Sequence, residues 1–368
     1  MRYTTKQPTM RYLHQFAPLH LSCILRTMLL VALFLAAAKD GTCQQKEAVT
    51  FSGYIDANIA HDFNHLPTRD RPYTTQPYYT DEASLNLGYV DATLDTGTYH
   101  GRLAAQYGSS VVANYADESD EFFRYIQEAF AGVTLTKKLQ IDAGIFFSHI
   151  GMETWISRDN YTPSRSLIAD YSPYYQTGLR ALYTFSEDLT GSLHIIRGWQ
   201  NITNDEDPGV GTQLNYAITK RVSLIHNTCF LNDHGSRFFN NFIVKTQITS
   251  DFGILASYDL GVQERRDETT ATWRGWALMP HYRITDTVSV AGRIEQFVDP
   301  HQVIIQSLSD YSVNTTGLSA NIDITLYTGL VWRNEYRAFV SSQDIFPRRE
   351  GFSASDSFVM SSLQYTIQ

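Results

Sequence analysis

The chain has 368 residues, of which 13% are aromatic and only 18% charged, and its formal net charge is −9. An acidic balance without a basic tail excludes nucleic acid as a partner, and three cysteines make no disulfide framework. The length suits one large domain or two ordinary ones, and no Pro/Gly/Ser-rich linker divides the chain after its N-terminal region.

Residues 28–38 form the one strongly apolar run, preceded by Arg2, Lys6, Arg11 and Arg26. A bilayer-spanning helix needs about 20 residues, so the run is too short to cross as one. The basic start, apolar middle, and small Ala36 and Ala38 predict a secretory signal peptide over 1–38, then a short lead-in over 39–48. Met-Arg-Tyr stands at both 1–3 and 10–12, which makes Met10 the expected start; N-terminal sequencing of the unprocessed precursor checks this. Cys43 suggests a lipoprotein, but Asp40 occupies the place where a lipobox carries Leu. No apolar run of spanning length follows, so life in a membrane would require a closed β-barrel, in which every backbone group is paired without helices.

From residue 49 on, period-two segments are joined alternately by long and short connections. The short joints are read at Asp95–Thr98, Thr136–Lys138, Ser186–Asp188, Thr219–Arg221, Ser250–Asp251, Thr285–Thr287 and Asp323-Ile324. Between them fall 61–82, 108–124, 148–174, 199–209, 231–236, 264–270, 299–312 and 341–355. In 51–60, Phe51, Ile55 and Ile59 oppose Ser52, Tyr54, Asp56 and Asn58. Similar alternation runs through 99–108, 139–147, 252–263, 326–338 and 359–367. In 83–94 the apolar face changes sides near Gly88, as at a bulge, and in 125–135 no face can be chosen. The fold predicted is all-β: a transmembrane antiparallel up-and-down barrel of about 16 strands, within 14–18, with short periplasmic turns and long extracellular loops. Tyr89, Tyr183, Trp199, Trp273, Trp276, Tyr327 and Trp332 are expected in the aromatic girdles. A soluble sandwich or propeller would need tight turns at both ends or a blade repeat.

Arg102, Arg180, Arg293, Arg333 and Arg337 fall on polar strand faces with Glu295, Glu335, Asp56, Asp142 and Asp259. Arg or Lys turned to mid-bilayer lipid costs about 2–4 kcal/mol, so these side chains are expected on the lumen wall, facing water. Arg197 and Arg274 break the pattern but lie near long-loop ends, where they can snorkel. The longest loop, 148–174, carries Ile150, Met152, Trp155, Ile156, Leu167 and Ile168, enough apolar surface to pack. It is expected to fold into the barrel and narrow the pore, with Glu153, Arg158, Asp159, Arg165 and Asp170 at the constriction; the alternative is an external cap. Metal-compatible spacing occurs at His61, Asp62 and His65, and Asn204-Asp205-Glu206-Asp207 could hold Ca²⁺, although a solvated acidic loop explains it as well. No nucleophile elbow, P-loop, dinucleotide glycine pattern or HExxH is present.

Several of these segments resemble the OmpL-like β-barrel porins of Gram-negative outer membranes. The resemblance rests on Phe51-Ser-Gly-Tyr-Ile-Asp-Ala-Asn58, Glu82-Ala-Ser-Leu-Asn-Leu-Gly-Tyr-Val-Asp-Ala92 and Ile141-Asp-Ala-Gly-Ile-Phe-Phe-Ser-His-Ile-Gly-Met-Glu153. It extends through Tyr171-Ser-Pro-Tyr-Tyr-Gln-Thr-Gly178, Gly198-Trp-Gln200, Tyr282–Asp286 and Arg293–Phe297. The resemblance implies an outer-membrane location and a diffusion channel, with no catalytic residues to carry over. In one departure the chain stops at Tyr365-Thr-Ile-Gln368, where such barrels commonly end on an aromatic residue.

The function expected is passive diffusion of small hydrophilic solutes or ions, with no cofactor. The partners expected are outer-membrane lipid and, during biogenesis, the barrel-assembly machinery; a homo-oligomer is left open. Two other classes remain: an outer-membrane barrel enzyme of lipase or protease type, and an adhesive or structural barrel with a closed lumen.

Overall fold

The computed structural model describes residues 48–203, 207–232, 235–265 and 269–367. The expected signal peptide at 1–38, Cys43, the lead-in up to residue 47 and the acidic stretch at 204–206 lie outside the described residues. Sixteen antiparallel strands close into one barrel in chain order, the last pairing with the first. They are β1 (Ala48–Asp62), β2 (Ala83–Asp95), β3 (Tyr99–Tyr107), β4 (Ile126–Thr136), β5 (Leu139–Phe147) and β6 (Tyr175–Thr184). Next come β7 (Leu189–Arg197), β8 (Pro208–Thr219), β9 (Val222–Asn232), β10 (Ser236–Gln247) and β11 (Phe252–Glu264). The barrel is completed by β12 (Thr270–Arg283), β13 (Val288–Asp299), β14 (Val313–Tyr327), β15 (Leu330–Ser341) and β16 (Ser355–Ile367). Among the described residues no helix is long and apolar enough to cross a membrane.

Alternation sets the two faces. On β1, Phe51, Ile55 and Ile59 are exposed on the outer wall, whereas Tyr54, Asp56 and Asn58 are buried inside. On β15 the outer row is Trp332 and Tyr336, and the inner row is Arg333, Glu335 and Arg337. A one-residue slip would exchange the rows and turn those charges into lipid, so the charge pattern fixes the register. Two places where alternation fails are bulges. Asn86 is the extra residue opposite Asp56 and Ala57, two positions before the Gly88 expected from the sequence. Gln127 is the extra residue opposite Ala104 and Ala105, which reverses parity inside 125–135 and explains why that segment offers no consistent face.

One end of the barrel carries the short turns, and they share a local device. Leu135-Thr136-Lys-Lys-Leu139, Ile218-Thr219-Lys-Arg-Val222, Ile248-Thr249-Ser-Asp-Phe252 and Ile284-Thr285-Asp-Thr-Val288 repeat apolar–Thr–x–x–apolar. In each, the Thr hydroxyl accepts from the backbone N–H groups two and three residues on, at 3.0–3.2 Å. That satisfies donors the ladder leaves over. In the third of these turns, Asp251 also pairs with Arg283 (2.5 Å), whose guanidinium holds the carboxyl below the usual carboxylate range. The joint read at Asp323-Ile324 is corrected: both residues lie within β14, and the chain turns at Thr328-Gly329, where Gly329 takes φ 80°. The aromatic reading is corrected as well. Tyr183, Tyr327 and Trp332 are exposed near the short-turn end beside Tyr99, Phe185, Tyr282 and Tyr365, but Tyr89 and Trp273 are buried inside the barrel. Trp199 packs edge-on against the inward Phe239.

The long loops at the other end turn inward. Residues 108–125 hold α1 (Ser109–Asn114) and α2 (Glu121–Arg124), and 148–174 holds a 3-10 turn at Ser157–Asp159 and α3 (Leu167–Asp170). Their apolar side chains join the inner wall in two buried clusters. One gathers Ile150, Leu167 and Ile168 with Phe239, Trp273, Phe297 and Phe339. The other gathers Trp155 and Ile156 with Tyr54, Tyr89, Tyr115 and Tyr175. Burying each Leu or Ile contributes about 1.5–3 kcal/mol, so the loops are held in place by packing.

Candidate functional site

The 148–174 loop crosses the lumen, and each step has a receptor on the wall. At its start the His149 ring bonds the Thr228 carbonyl through Nε2 (2.9 Å) and Gln176 through Nδ1 (2.9 Å). It stacks on His194 at 4.1 Å, and its carbonyl accepts from Gln213 (2.8 Å). Gly211 lies beneath the ring, where a Cβ would overlap it. Gly151 N–H reaches Asn241 on β10, and Ile168 fills the space left by Gly275 on β12. Farther along, Tyr161 stacks on His281 at 4.7 Å, and its carbonyl accepts from Asn321 on β14. At the far side Arg158 donates to Thr366 on β16 (3.1 Å) and to the Tyr89 hydroxyl on β2 (3.1 Å).

The strongest attachment is to β13–β15. An irregular loop inside a barrel carries backbone groups that the loop cannot pair itself, and leaving them unpaired is costly. Here the charged wall supplies the partners. Arg337 Nη1 donates to the Arg165 carbonyl (2.6 Å), and Arg293 Nη1 to Ser164 O (2.9 Å) and the Thr162 hydroxyl (2.7 Å). Arg333 donates to the carbonyls of Ser157 (2.5 Å) and Asn160 (2.9 Å). The carboxylates take the donors: Glu295 accepts from Leu167 N–H (2.5 Å), and Glu335 from the N–H and hydroxyl of Ser164 (both 2.8 Å). Within the wall Arg337 pairs with Glu295 (2.6 Å) and Arg293 with Glu335 (3.1 Å). Gly317 on β14 leaves room for the Glu295 carboxylate, because a Cβ there would stand 2.7 Å from its Oε1.

The sequence-predicted residues therefore separate into groups. Arg102, Arg180, Arg293, Glu295, Arg333, Glu335 and Arg337 all lie on the inward face. Arg293, Glu295, Arg333, Glu335 and Arg337 are buried against the loop rather than turned to water, because the loop backbone needs them. In the loop, Glu153, Arg165 and Asp170 are buried too. Glu153 accepts from the N–H of Ser166 (2.9 Å), Arg165 lies over the Tyr174 ring (3.7 Å), and Asp170 accepts from Thr75 (2.7 Å) and Tyr174 (2.8 Å). Arg158 and Asp159 stay partly exposed beside Tyr89. On the opposite wall Arg102 pairs with Asp91 and Glu128, and Arg180 with Asp142 (2.7 Å), which also bonds His100 (2.6 Å). Below them Thr134, Gln140, Thr190, Ser192 and Gln213, with Leu139 and Leu182, line a cavity of about 270 Å³ of mixed polarity toward the short-turn end.

Two further loops reach inward that the sequence reading passed over. Arg71, in 63–82, pairs with Asp62 and Asp356 (3.0 Å) and lies over the Phe358 ring (3.9 Å), while Gln76 donates to the Trp155 carbonyl (3.2 Å). Glu118, in 108–125, accepts from Tyr175 OH (2.6 Å) and Ile202 N–H (2.8 Å). The signal available was aromatic: Tyr73, Tyr78 and Tyr79 in one loop, Phe122, Phe123 and Tyr125 in the other. The His61–Asp62–His65 reading does not assemble, since Asp62 is taken by Arg71 and His61 bonds Asp81 (2.5 Å). Asp207, the described part of the acidic stretch, accepts from Asn232 (2.9 Å).

A closed sixteen-stranded barrel with an apolar outer wall, short turns at one end and a charged interior defines an outer-membrane channel protein. The chain belongs to the family described as "Putative beta-barrel porin-2, OmpL-like", whose model matches residues 48–367. It is thus an outer-membrane porin of the Gram-negative type. No curated protein matches it. Among solved structures it is similar in fold to the outer membrane channel DcaP of Acinetobacter baumannii, with TM-score 0.61, 10% identity, and coverage of 89% of this chain and 99% of that one. An anion-selective porin from Comamonas acidovorans gives TM-score 0.60 at 8% identity over 88% and 100% of the two chains. The trimer form of OmpT from Vibrio cholerae gives 0.56 at 11% over 87% and 99%.

Proposed function

We propose that residues 1–38 export the chain and that the barrel then works as a passive channel for small hydrophilic solutes, without cofactor or chemical step. In this reading the 148–174 loop sets the narrowest section. One observation carries it: the loop spans the lumen from His149, held by β6, β7 and β9, to Trp155 and Arg158, held by β3, β16 and β2, with β10 and β12–β15 gripping it between. The polar faces of β3–β7 toward the short-turn end are left as the facing wall of the passage. Membership of a porin family supports a channel over the barrel enzyme or the adhesive barrel. Assembly by the barrel-assembly machinery is part of the proposal, as is a homo-oligomer, for which the trimer form of a similar fold is support. Reconstitution into planar bilayers tests it: stepwise ion conductance is expected, and folded protein that inserts without conducting would refute it.

A further inference from the structure

The β2–β6 wall sorts its charges by depth. The carboxylates of Asp142, Asp91 and Glu128 keep only 0%, 5% and 5% of their side-chain surface exposed, whereas Arg102 and Arg180 keep 20% and 19%. Acids stand behind and guanidinium groups in front. Arg180 uses Nε on Asp142 (2.7 Å), and its guanidinium carbon lies 4.9 Å from the Phe130 ring centre and 4.6 Å from that of Phe146. One ion pair and two rings fix its plane, while among the described residues no hydrogen bond reaches its Nη atoms. Arg102 uses Nε on Asp91 (3.4 Å) and Nη1 on Glu128, which leaves Nη2. Phe130, under the Arg180 guanidinium, is the cross-strand partner of Arg102, and Glu128 interacts electrostatically with both arginines, so the two belong to one charged cluster. Arg293, Arg333 and Arg337 differ, because their Nη atoms are given to the loop.

We propose that Arg180 and Arg102 form an anion subsite in the channel, taking the carboxylate or phosphate group of a small solute. The inference rests on the channel reading above and adds a solute class to it. A guanidinium presents paired donors that match two oxygens of such a group. The acids behind keep the affinity low, as permeation requires, since a solute must be able to leave.

The test uses the mature protein in planar bilayers under a KCl gradient. Chloride should be preferred to potassium, and added succinate or inorganic phosphate should reduce the chloride current saturably. Block by one of the two alone assigns the group preferred. Arg180→Gln and Arg102→Gln should each lower the chloride-to-potassium permeability ratio several-fold. Arg180→Lys should keep the ratio but weaken the block, because it retains charge without the fork. Arg283→Gln, which removes the same charge at the short-turn rim, should leave both near wild type. Heat-modifiable migration in gels verifies that each variant is folded. A conducting wild type that prefers potassium, or glutamine variants with unchanged ratio and block, overturns the subsite alone. Folded protein with no conductance overturns the channel reading and the subsite with it.

Discussion

Arg293 on β13 and Glu335 on β15 meet across β14, Nη2 to Oε1 at 3.1 Å, and Ser164 of the inserted loop is held between them. The Ser164 hydroxyl accepts from Arg293 Nη2 and donates to Glu335 Oε1, both at 2.8 Å. Breaking a buried pair costs about 3–5 kcal/mol when the other charge is left alone; here the cost is smaller, because Glu295 (3.2 Å) and Glu153 (3.6 Å) still face Arg293. Glu335→Ala is therefore expected to lower the denaturant midpoint in detergent. It should also release the Ser164 segment, seen as larger or noisier single-channel steps. The double change Arg293→Met with Glu335→Leu should recover much of the stability but not the quiet conductance.

Gly275 and Ile168 make a second attachment, this time by shape. A valine at Gly275 would occupy the space of the Ile168 side chain. Overpacking of this kind costs about 1–3 kcal/mol. Gly275→Val should shift the unfolding midpoint downward and alter the conductance, and adding Ile168→Ala should restore both in part. Independent, additive effects of the two changes would refute the contact.

The threonines of the short turns should act locally. Replacing Thr136, Thr219, Thr249 or Thr285 by Val removes two backbone hydrogen bonds at each turn. A net hydrogen bond contributes about 0.5–1.5 kcal/mol. With two bonds lost, each variant should fold less stably by about 1–3 kcal/mol, measured by urea titration in detergent, with ion selectivity unaltered. Thr285→Ser, which keeps the hydroxyl, should fold as wild type.

Water accessibility separates the loop acids. Asp159 retains 47% of its side-chain surface, whereas Asp170 is enclosed by Thr75 and Tyr174. A cysteine at Asp159 should react with a charged thiol reagent and reduce the current, and a cysteine at Asp170 should not. Cys229, fully buried in the inner cluster, should stay unreactive in both. Equal labelling at 159 and 170 would refute the placement.

The barrel was legible because lipid and water impose period two on both faces, as Phe51, Ile55 and Ile59 against Asp56 and Asn58 display. Where one extra residue enters, as at Asn86 and Gln127, parity reverses and local reading fails. Residue type also misleads where an aromatic ring serves either side: Trp332 faces out, yet Trp273 lies inside over Gly261. Which charges meet water could not be read from strand faces, because that depends on where the loop lies. Arg337 and Arg180 share a pattern in sequence, but one is buried under Arg165 and the other stays partly exposed. The apolar residues of 148–174 mark it as able to pack, and Ile150, Leu167 and Ile168 are buried against Phe239, Trp273 and Phe297. The inward folding of 63–82 and 108–125 was not legible, since Arg71 and Glu118 read as ordinary surface charges until their partners on distant strands are known.

In the proposed channel the 148–174 loop lies inside a conducting barrel and narrows it. Single-channel recording of the wild type beside a chain lacking 152–168 tests this most directly. Discrete conductance steps are expected for the wild type and clearly larger ones for the deletion. Steps of the same size in both would contradict it, placing the narrow section elsewhere, and a folded wild type with no steps would remove the channel itself.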